Sequence, residues 1–314
     1  MSTTALPTMA TYHYLQRDPD SRVLFTNRIT TMDDLYKIVV GGNSAFIALD
    51  TEHVPIENEN NRILHQVGLT YLPATSTAMM LNASRKQCLS DFYNIYQLQS
   101  LTLNIELSNE LQEDLIRFRG NIPNRRPSRF GYEQQIYIES LESTIIKFIQ
   151  SCNNSNLVLV GFEMAAEWNY LLKNFPKAMP YFSSWIDLRD IGRDITSAKV
   201  LPGLVSMLQI FGYFWQDIKG DNRNGAAANA GDDTVSTLAI ANAFFDPENQ
   251  NKLRNRVAQQ NRKKAGSFHE NKTALLQATS TSEIEEKQRL RESKKAQSSE
   301  SDFDSLGETF IGSC

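Results

Sequence analysis

Short apolar runs and amphipathic stretches follow one another as far as Pro247, and the pattern then stops. Residues 1–22 are polar and aperiodic and read as a loose extension. "TTMDDLYKIVVGG" reads as a short helix. Thr31 can cap it, Asp33 and Asp34 suit its positive end, and Gly41 and Gly42 can stop it. "SAFIALDTE" is apolar from Ala45 to Leu49 and is better as a central strand than as a helix, by its length and flanks. "RILHQVGLTYL" (62–72) and "TSTAMMLNA" (75–83) read as the next two strands. Short connections make antiparallel pairing the expectation. Residues 85–131 fit neither period and read as an insertion or a long excursion off the sheet.

Periodicity returns in "EQQIYIESLESTIIKFIQS", where Ile136, Ile138, Leu141, Ile145, Ile146 and Ile149 share helical spacing. "NLVLVGFEMAAEWNYLL" passes from a strand over 157–160 to a helix, turning at Gly161. "SSWIDLRDI" is a strand ending near Asp187, "LPGLVSMLQIFG" is helical, and "AGDDTVSTLAIANAFF" is a helix closed by Asp246-Pro247. A run of strands followed by strands alternating with helices predicts one α/β domain over residues 23–246, with a mixed sheet. Residues 247–314 read as a charged, disordered or transiently helical tail, basic over 252–264 and Ser-rich and acidic at its end.

A hydrophobic fraction of 41% supports a real core over most of the 314 residues. The formal net charge of −4 argues against a uniformly basic nucleic-acid coat, yet leaves room for a local basic groove. Cys88, Cys152 and Cys314 are too widely spaced for a disulfide framework or a Cys zinc site. The first residues lack an apolar signal core, and no stretch reaches the roughly 18 apolar residues of a membrane span. The expectation is a soluble protein of a reducing compartment, cytoplasmic or nuclear, with no membrane partner.

The chemistry begins where the first core strand ends on two acids. Asp50 and Glu52 are two apart, so they leave the strand on one side and repel each other unless a cation or a raised pKa compensates. Two further segments offer carboxylates. Glu163 and Glu167 stand at i and i+4 on one helix face, and Asp232 and Asp233 open the last helix. Carboxylates gathered from a strand end and two helix starts make an oxygen-only cage suited to Mg²⁺ or Mn²⁺. Two such ions about 3.5–4 Å apart clamp the attacking and leaving oxygens of a phosphodiester.

"FIALDTEHV" followed by "HQVGLTYL", then "LVGFEMAAEWNYLL", then "NAGDDTVSTLAIANAFF" resembles the three ordered motifs of DEDD-type 3′–5′ exonucleases, which have a ribonuclease H-like fold. More narrowly, it resembles the fungal exonuclease-like domain of proteins linked to messenger-RNA export, a branch that typically shows His-Asn-Ala-Gly-Asn-Asp before the last helix. The likeness spans roughly residues 23–246. It implies a five-stranded mixed sheet flanked by helices and two bound ions, Mg²⁺ or Mn²⁺. It also implies a single-stranded RNA or DNA 3′ end as substrate. By the same resemblance Asp50 bridges both ions, Glu52 binds the first and orients the nucleophilic water, and Glu167 and Asp233 fill the second and third motif positions.

Two departures weaken the implied activity. The family's general base is a His five residues before the last Asp or a Tyr four before it, and here those positions are Ala228 and Asn229. A positioned base is worth about 10²–10⁴-fold. Glu167 stands where the family usually has Asp, and a carboxylate displaced by roughly 1 Å can cost about 10²-fold. His53 follows Glu52 and points to the opposite side of the strand, and His65 reads as a packed or edge histidine, so neither replaces the base. Glu163 reads as a helix-start charge, Asp232 as a helix cap or solvent-facing residue, and Asp187 as structural.

Arg117, Arg119, Arg125, Arg126 and Arg129, with Phe130 and Tyr132, form an Arg-rich, aromatic segment. Guanidinium groups pair phosphates and rings stack unpaired bases, so the segment is a candidate single-strand groove as well as an ordinary solvated loop. Two functions are therefore expected: an impaired two-metal exonuclease, or a non-catalytic adaptor that reuses the fold to contact RNA or a protein, with the tail as a docking segment.

Overall fold

β2 (Ala45–Pro55) organises the molecule, with Ala45 to Leu49 buried on both faces. A run so uniformly apolar has to be covered on both sides, which is the environment of a central strand. The computed structural model describes residues 17, 19–57, 62–82, 88–164, 167–168, 171, 174–213 and 229–262. The chain divides into two units, Met1–Val257 and Ala258–Cys314. Of the second, residues 258–262 are described, and they are helical.

The first unit is α/β. In chain order its elements are α1 (Pro19–Thr26), β1 (Arg28–Ile29), α2 (Met32–Gly41), β2, β3 (Arg62–Leu72), α3 (Ala74–Thr77), α4 (Leu89–Ile95), β4 (Gln99–Ile105), α5 (Asn109–Arg119), β5 (Tyr132–Ile136), α6 (Ile138–Ser151), β6 (Leu157–Gly161), β7 (Phe182–Asp187), α7 (Leu188–Thr196), α8 (Leu204–Ile210) and α9 (Ala230–Ala243). The strands form one mixed sheet in the order β1-β7-β6-β2-β3-β4-β5. β3 runs antiparallel to β2 and β4, and the other pairs are parallel.

Alternation along β2 assigns each residue to a layer. Phe46 and Ala48 enter a core with α2, α4, α7, α8 and α9. Ala45, Ile47 and Leu49 enter a second core with α1, α6 and the helical residues Met164, Trp168 and Leu171. Asp50 and Glu52 continue the first set, so they emerge on the α9 side of the sheet.

α9 lies so close to the sheet that all of its residues except Asp233 are buried. Gly68 makes this approach possible. It pairs with Asp50, and a β-carbon there would come within 2.1 Å of the Ala230 carbonyl oxygen. Gly231 answers from the helix, where a β-carbon would sit 1.9 Å from Thr102 Oγ1. Thr70 Oγ1 donates to Ser100 Oγ at 2.9 Å and lies 2.6 Å from Thr234 Oγ1, so hydroxyls rather than methyls fill the seam.

Several expectations are corrected. Among the described residues the sheet has seven strands, not five. Residues 75–83 are not a strand: α3 is followed by a 3₁₀ turn over Ala78–Asn82. Pro73 precedes α3 as a preorganised extended N-cap, and local helix closure wins over a run too short to fix its own period. The unplaced stretch 85–131 supplies α4, α5 and β4, an interior strand. Residues 132–136 form edge strand β5 rather than the first turn of a helix, and α6 starts at Ile138. The last residues of the expected extension, 19–22, begin α1, and the expected tail gives residues to the core: residues 247–257 are helical, and Leu253 and Val257 are buried. Thr31 does cap α2, accepting from Asp34 N at 3.2 Å, and Gly42 ends it in the left-handed conformation. Among the described residues, no helix is long and apolar enough to cross a membrane.

Candidate metal centre

Asp50, Glu52 and Asp233 meet part-way along β2, which does not stop at the acids as expected but runs on to Pro55, with a register shift after Glu52. Each offers a carboxylate oxygen, and these oxygens all lie within 4.8 Å of one another. β2 supplies two of them on one face. α9 supplies the third because Gly68 and Gly231 let its first turn sit on the strands beside them. Gln66 fixes that turn. Its Oε1 accepts from Ala230 N at 2.8 Å and its Nε2 donates to Asn104 Oδ1 at 2.7 Å.

Glu167 approaches from the other layer. It is buried, and Thr51 Oγ1 donates to its Oε2. Thr51 lies between the two acids and faces the opposite side of the strand. The structure thus brings three of the four expected acids together and ties the fourth to the threonine between them. Glu167 remains close enough to feel the others: its charge helps push Asp50 up, and that of Glu52 helps push Glu167 up.

Burial is the main cause of the raised pKa values, and like charge adds to it. Asp50 is held well above the usual carboxylate range by burial, then by Glu167, Asp233 and Glu52. Burial and Asp233 push Glu52 to about 7. Burial pushes Glu167 to about 8, against the Thr51 hydrogen bond that favours its charge. All the charged neighbours that shift Asp50 are carboxylates. Such a cluster protonates or takes a cation. The donors are hard oxygens, and ligands of one octahedral Mg²⁺ lie at most roughly 4 Å apart across the ion, so a small closure of this triad fits it.

The remaining candidates have other work. Glu163 sits at the turn after β6 with φ +67°, and it pairs with Arg189. Asp187 is structural, as expected. Its oxygens accept from Glu163 N and Met164 N, both at 3.1 Å, and from Arg189 N at 2.9 Å. Burial and Asp190 push its pKa up to about 7, while the Arg189 N–H, Arg193 and Arg28 pull it down. His53 is held to about 3 by burial, His65 and Arg62, and His65 to about 4 by burial and Arg125. Both are uncharged at neutral pH and are poor proton acceptors. Ala228 lies outside the described residues. Asn229 caps α9 instead of facing the acids: its Oδ1 accepts from Asp232 N at 3.0 Å, and its Nδ2 donates to Arg126 O at 2.8 Å.

Asp232 is therefore neither the helix cap nor solvent-facing. It is buried and accepts from Arg126 Nη2 at 2.5 Å, Arg129 Nε at 2.8 Å, Arg129 N at 2.9 Å and Ser128 Oγ at 3.3 Å. This corrects the single-strand groove at three positions. Arg126 and Arg129 spend guanidinium donors on Asp232, and Phe130 is buried and stacked on Tyr93 with ring centroids 5.2 Å apart. Arg125 Nη2 donates to the Ile105 carbonyl at 2.5 Å. Arg117 and Arg119 lie in the last turn of α5, where cations suit the helix dipole, and Tyr132 is exposed.

Sequence reasoning missed Thr51, Gln66 and the anchoring role of Asp232. A hydroxyl between two acids, and a glycine two residues after a buried amide, were the available signals. The chain matches no protein-family model, and comparison with curated proteins gives no match.

Proposed function

We propose that the chain is a nucleic-acid-binding protein of the DEDD exonuclease type on a ribonuclease H-like fold, with slow 3′–5′ phosphodiester hydrolysis. What supports this is the meeting of Asp50, Glu52 and Asp233, their ligand oxygens within 4.8 Å of one another, among charged groups that repel. Asp50, Glu52 and Asp233 would hold Mg²⁺ or Mn²⁺. When bound, such ions supply charge neutralisation and an activated water. Glu52, on the same face of β2 as Asp50, would orient the nucleophile. Glu167 stays with Thr51 and sets the local charge, and it must leave that hydroxyl to ligate.

One observation favours a second reading, a non-catalytic RNA- or protein-binding adaptor. Asn229 is committed to capping, and burial lowers His53 to about 3 and His65 to about 4, too weakly basic to take a proton near neutral pH, so none of the three offers a competent base. A labelled 3′-tailed RNA or DNA incubated with Mn²⁺ separates the two. Trimming that is lost in Asp50→Ala supports the exonuclease. A bound but untrimmed strand supports the adaptor. Ala228→His is expected to raise trimming by about 10²–10⁴-fold, the usual worth of a positioned base.

A further inference from the structure

A concave site is lined by none of the candidate metal-centre acids. It is a groove of about 900 Å³, lined among others by Arg62, Arg125, Gln112, Gln135, Pro123 and Tyr137. Its floor residues Leu64 and Ile105 belong to the α6-side core, whereas Asp50 and Glu52 emerge on the α9 side. None of Asp50, Glu52, Glu167 or Asp233 lines it. The volume is in the range of sites for small molecules, roughly 300–1,000 Å³.

The chemistry of the walls points to an anion with a planar group attached. Arg62 comes from the start of β3 and Arg125 from the segment after α5, and Arg125 is aimed by its bond to the Ile105 carbonyl. Glu106 and Glu139 also line the groove and offset the two guanidinium charges. Glu106 is engaged by the Tyr137 hydroxyl, and Glu139 lies in the first turn of α6. The positive end of α6 tips the balance: it opens on the groove at Tyr137 and Ile138, with no side-chain cap at Tyr137. α5 also opens there at Ser108 and Asn109, but the Ser108 hydroxyl already accepts from Leu111 N at 3.3 Å. The ring of Tyr137, 63% exposed, and Ile122, 40% exposed, offer a flat apolar surface beside the amides of Gln112 and Gln135. Gln112 is held by its bond to the Leu107 carbonyl at 2.8 Å.

We propose that this groove binds a nucleoside phosphate, with Arg62 and Arg125 on the phosphate and Tyr137 against the base. The ligand is either a free nucleotide or the terminal unit of a strand. Nothing in the proposal depends on the acidic centre or on hydrolysis.

Isothermal titration calorimetry of the full chain in EDTA tests it, with adenosine 5′-monophosphate, a short oligoadenylate and inorganic phosphate as probes. Saturable nucleotide binding is expected without metal. It weakens tenfold or more in Arg62→Ala and in Tyr137→Ala and keeps its affinity in Asp50→Asn. Inorganic phosphate binds at least tenfold more weakly than the nucleotide. Tighter binding of the monophosphate identifies a free nucleotide as the ligand, and tighter binding of the oligoadenylate identifies a strand end. Both substituted side chains are exposed, so melting temperatures at the wild-type value show that the variants fold. No heat with either nucleotide, affinity that survives either substitution, or phosphate binding as tight as the nucleotide overturns the proposal.

Discussion

Asp50→Asn is expected to stabilise the metal-free protein at pH 8.5 and to leave it nearly unchanged at about pH 3, below the ordinary carboxylate range. In the folded chain the Asp50 pKa is raised by burial and by Glu167, Asp233 and Glu52, so the native state holds its proton above the pH at which the unfolded chain releases it. Stability therefore falls as pH rises from the ordinary carboxylate range through the folded value, and the loss is complete above it. Asparagine carries no charge at either pH and escapes that loss. The gain at pH 8.5 should be about 1–3 kcal/mol, the size of an ordinary single-residue effect. Glu52, at about 7, and Glu167, at about 8, add to the same downward slope in the wild type. A saturating cation reverses the order of stabilities, since binding to the native state alone adds about 2.7 kcal/mol at a hundredfold excess over Kd. Thermal melts of both proteins at the two pH values, in EDTA, check this. Equal destabilisation of the variant at both pH values would show that Asp50 is held by favourable contacts and not against repulsion.

Asp232→Ala should be the most destabilising single change near the site. It strips the acceptor from two guanidiniums, one backbone N–H and one hydroxyl at once. Breaking a buried ion pair by removing one partner costs about 3–5 kcal/mol. The arginine side chains are 20% and 24% exposed, so water recovers part of that, and about 2–4 kcal/mol is the expectation. Asp232→Asn should lie between the two, because its amide oxygen still accepts the Arg129 N–H. A urea midpoint that drops with the m-value unchanged, together with faster amide exchange at residues 126–131, is the expected signature. An unfolding free energy within about 0.5 kcal/mol of wild type would mean the arginines find other acceptors and the loop is not anchored at Asp232.

The legibility of this chain follows its physics. β2 and β6 are readable because Ala45–Leu49 and Leu157–Val160 are short, uniformly apolar runs, although the end of β2 is not, and α2 is readable from its caps. β4 was not. Its strand Gln99–Ile105 mixes polar and apolar residues because Thr102 and Ser100 face the closely packed α9 seam, where hydroxyls fit and larger apolar groups do not. β5 was hidden because an exposed edge strand needs no apolar face and merges into the helix that follows. At the centre, the two-residue spacing of Asp50 and Glu52 fixed their shared side, and the helix start fixed Asp233. Glu167 was half legible. Its place on the helix was right, but a hydroxyl on a different element decides where its carboxylate goes, and that contact has no local sequence signal. The role of Asp232 was masked in the same way, since its partners lie more than a hundred residues earlier in the chain.

The central claim is that Asp50, Glu52 and Asp233 form a divalent-cation site. Calorimetric titration of Mn²⁺ into the wild-type chain at pH 8 tests it most directly, with Asp50→Asn and Asp233→Asn alongside. Saturable uptake by the wild type is expected, accompanied by proton release that grows as the pH is lowered toward 7, with loss of uptake in both variants. Wild-type protein that takes up no Mn²⁺, or variants that bind it as well as the wild type, would contradict the account.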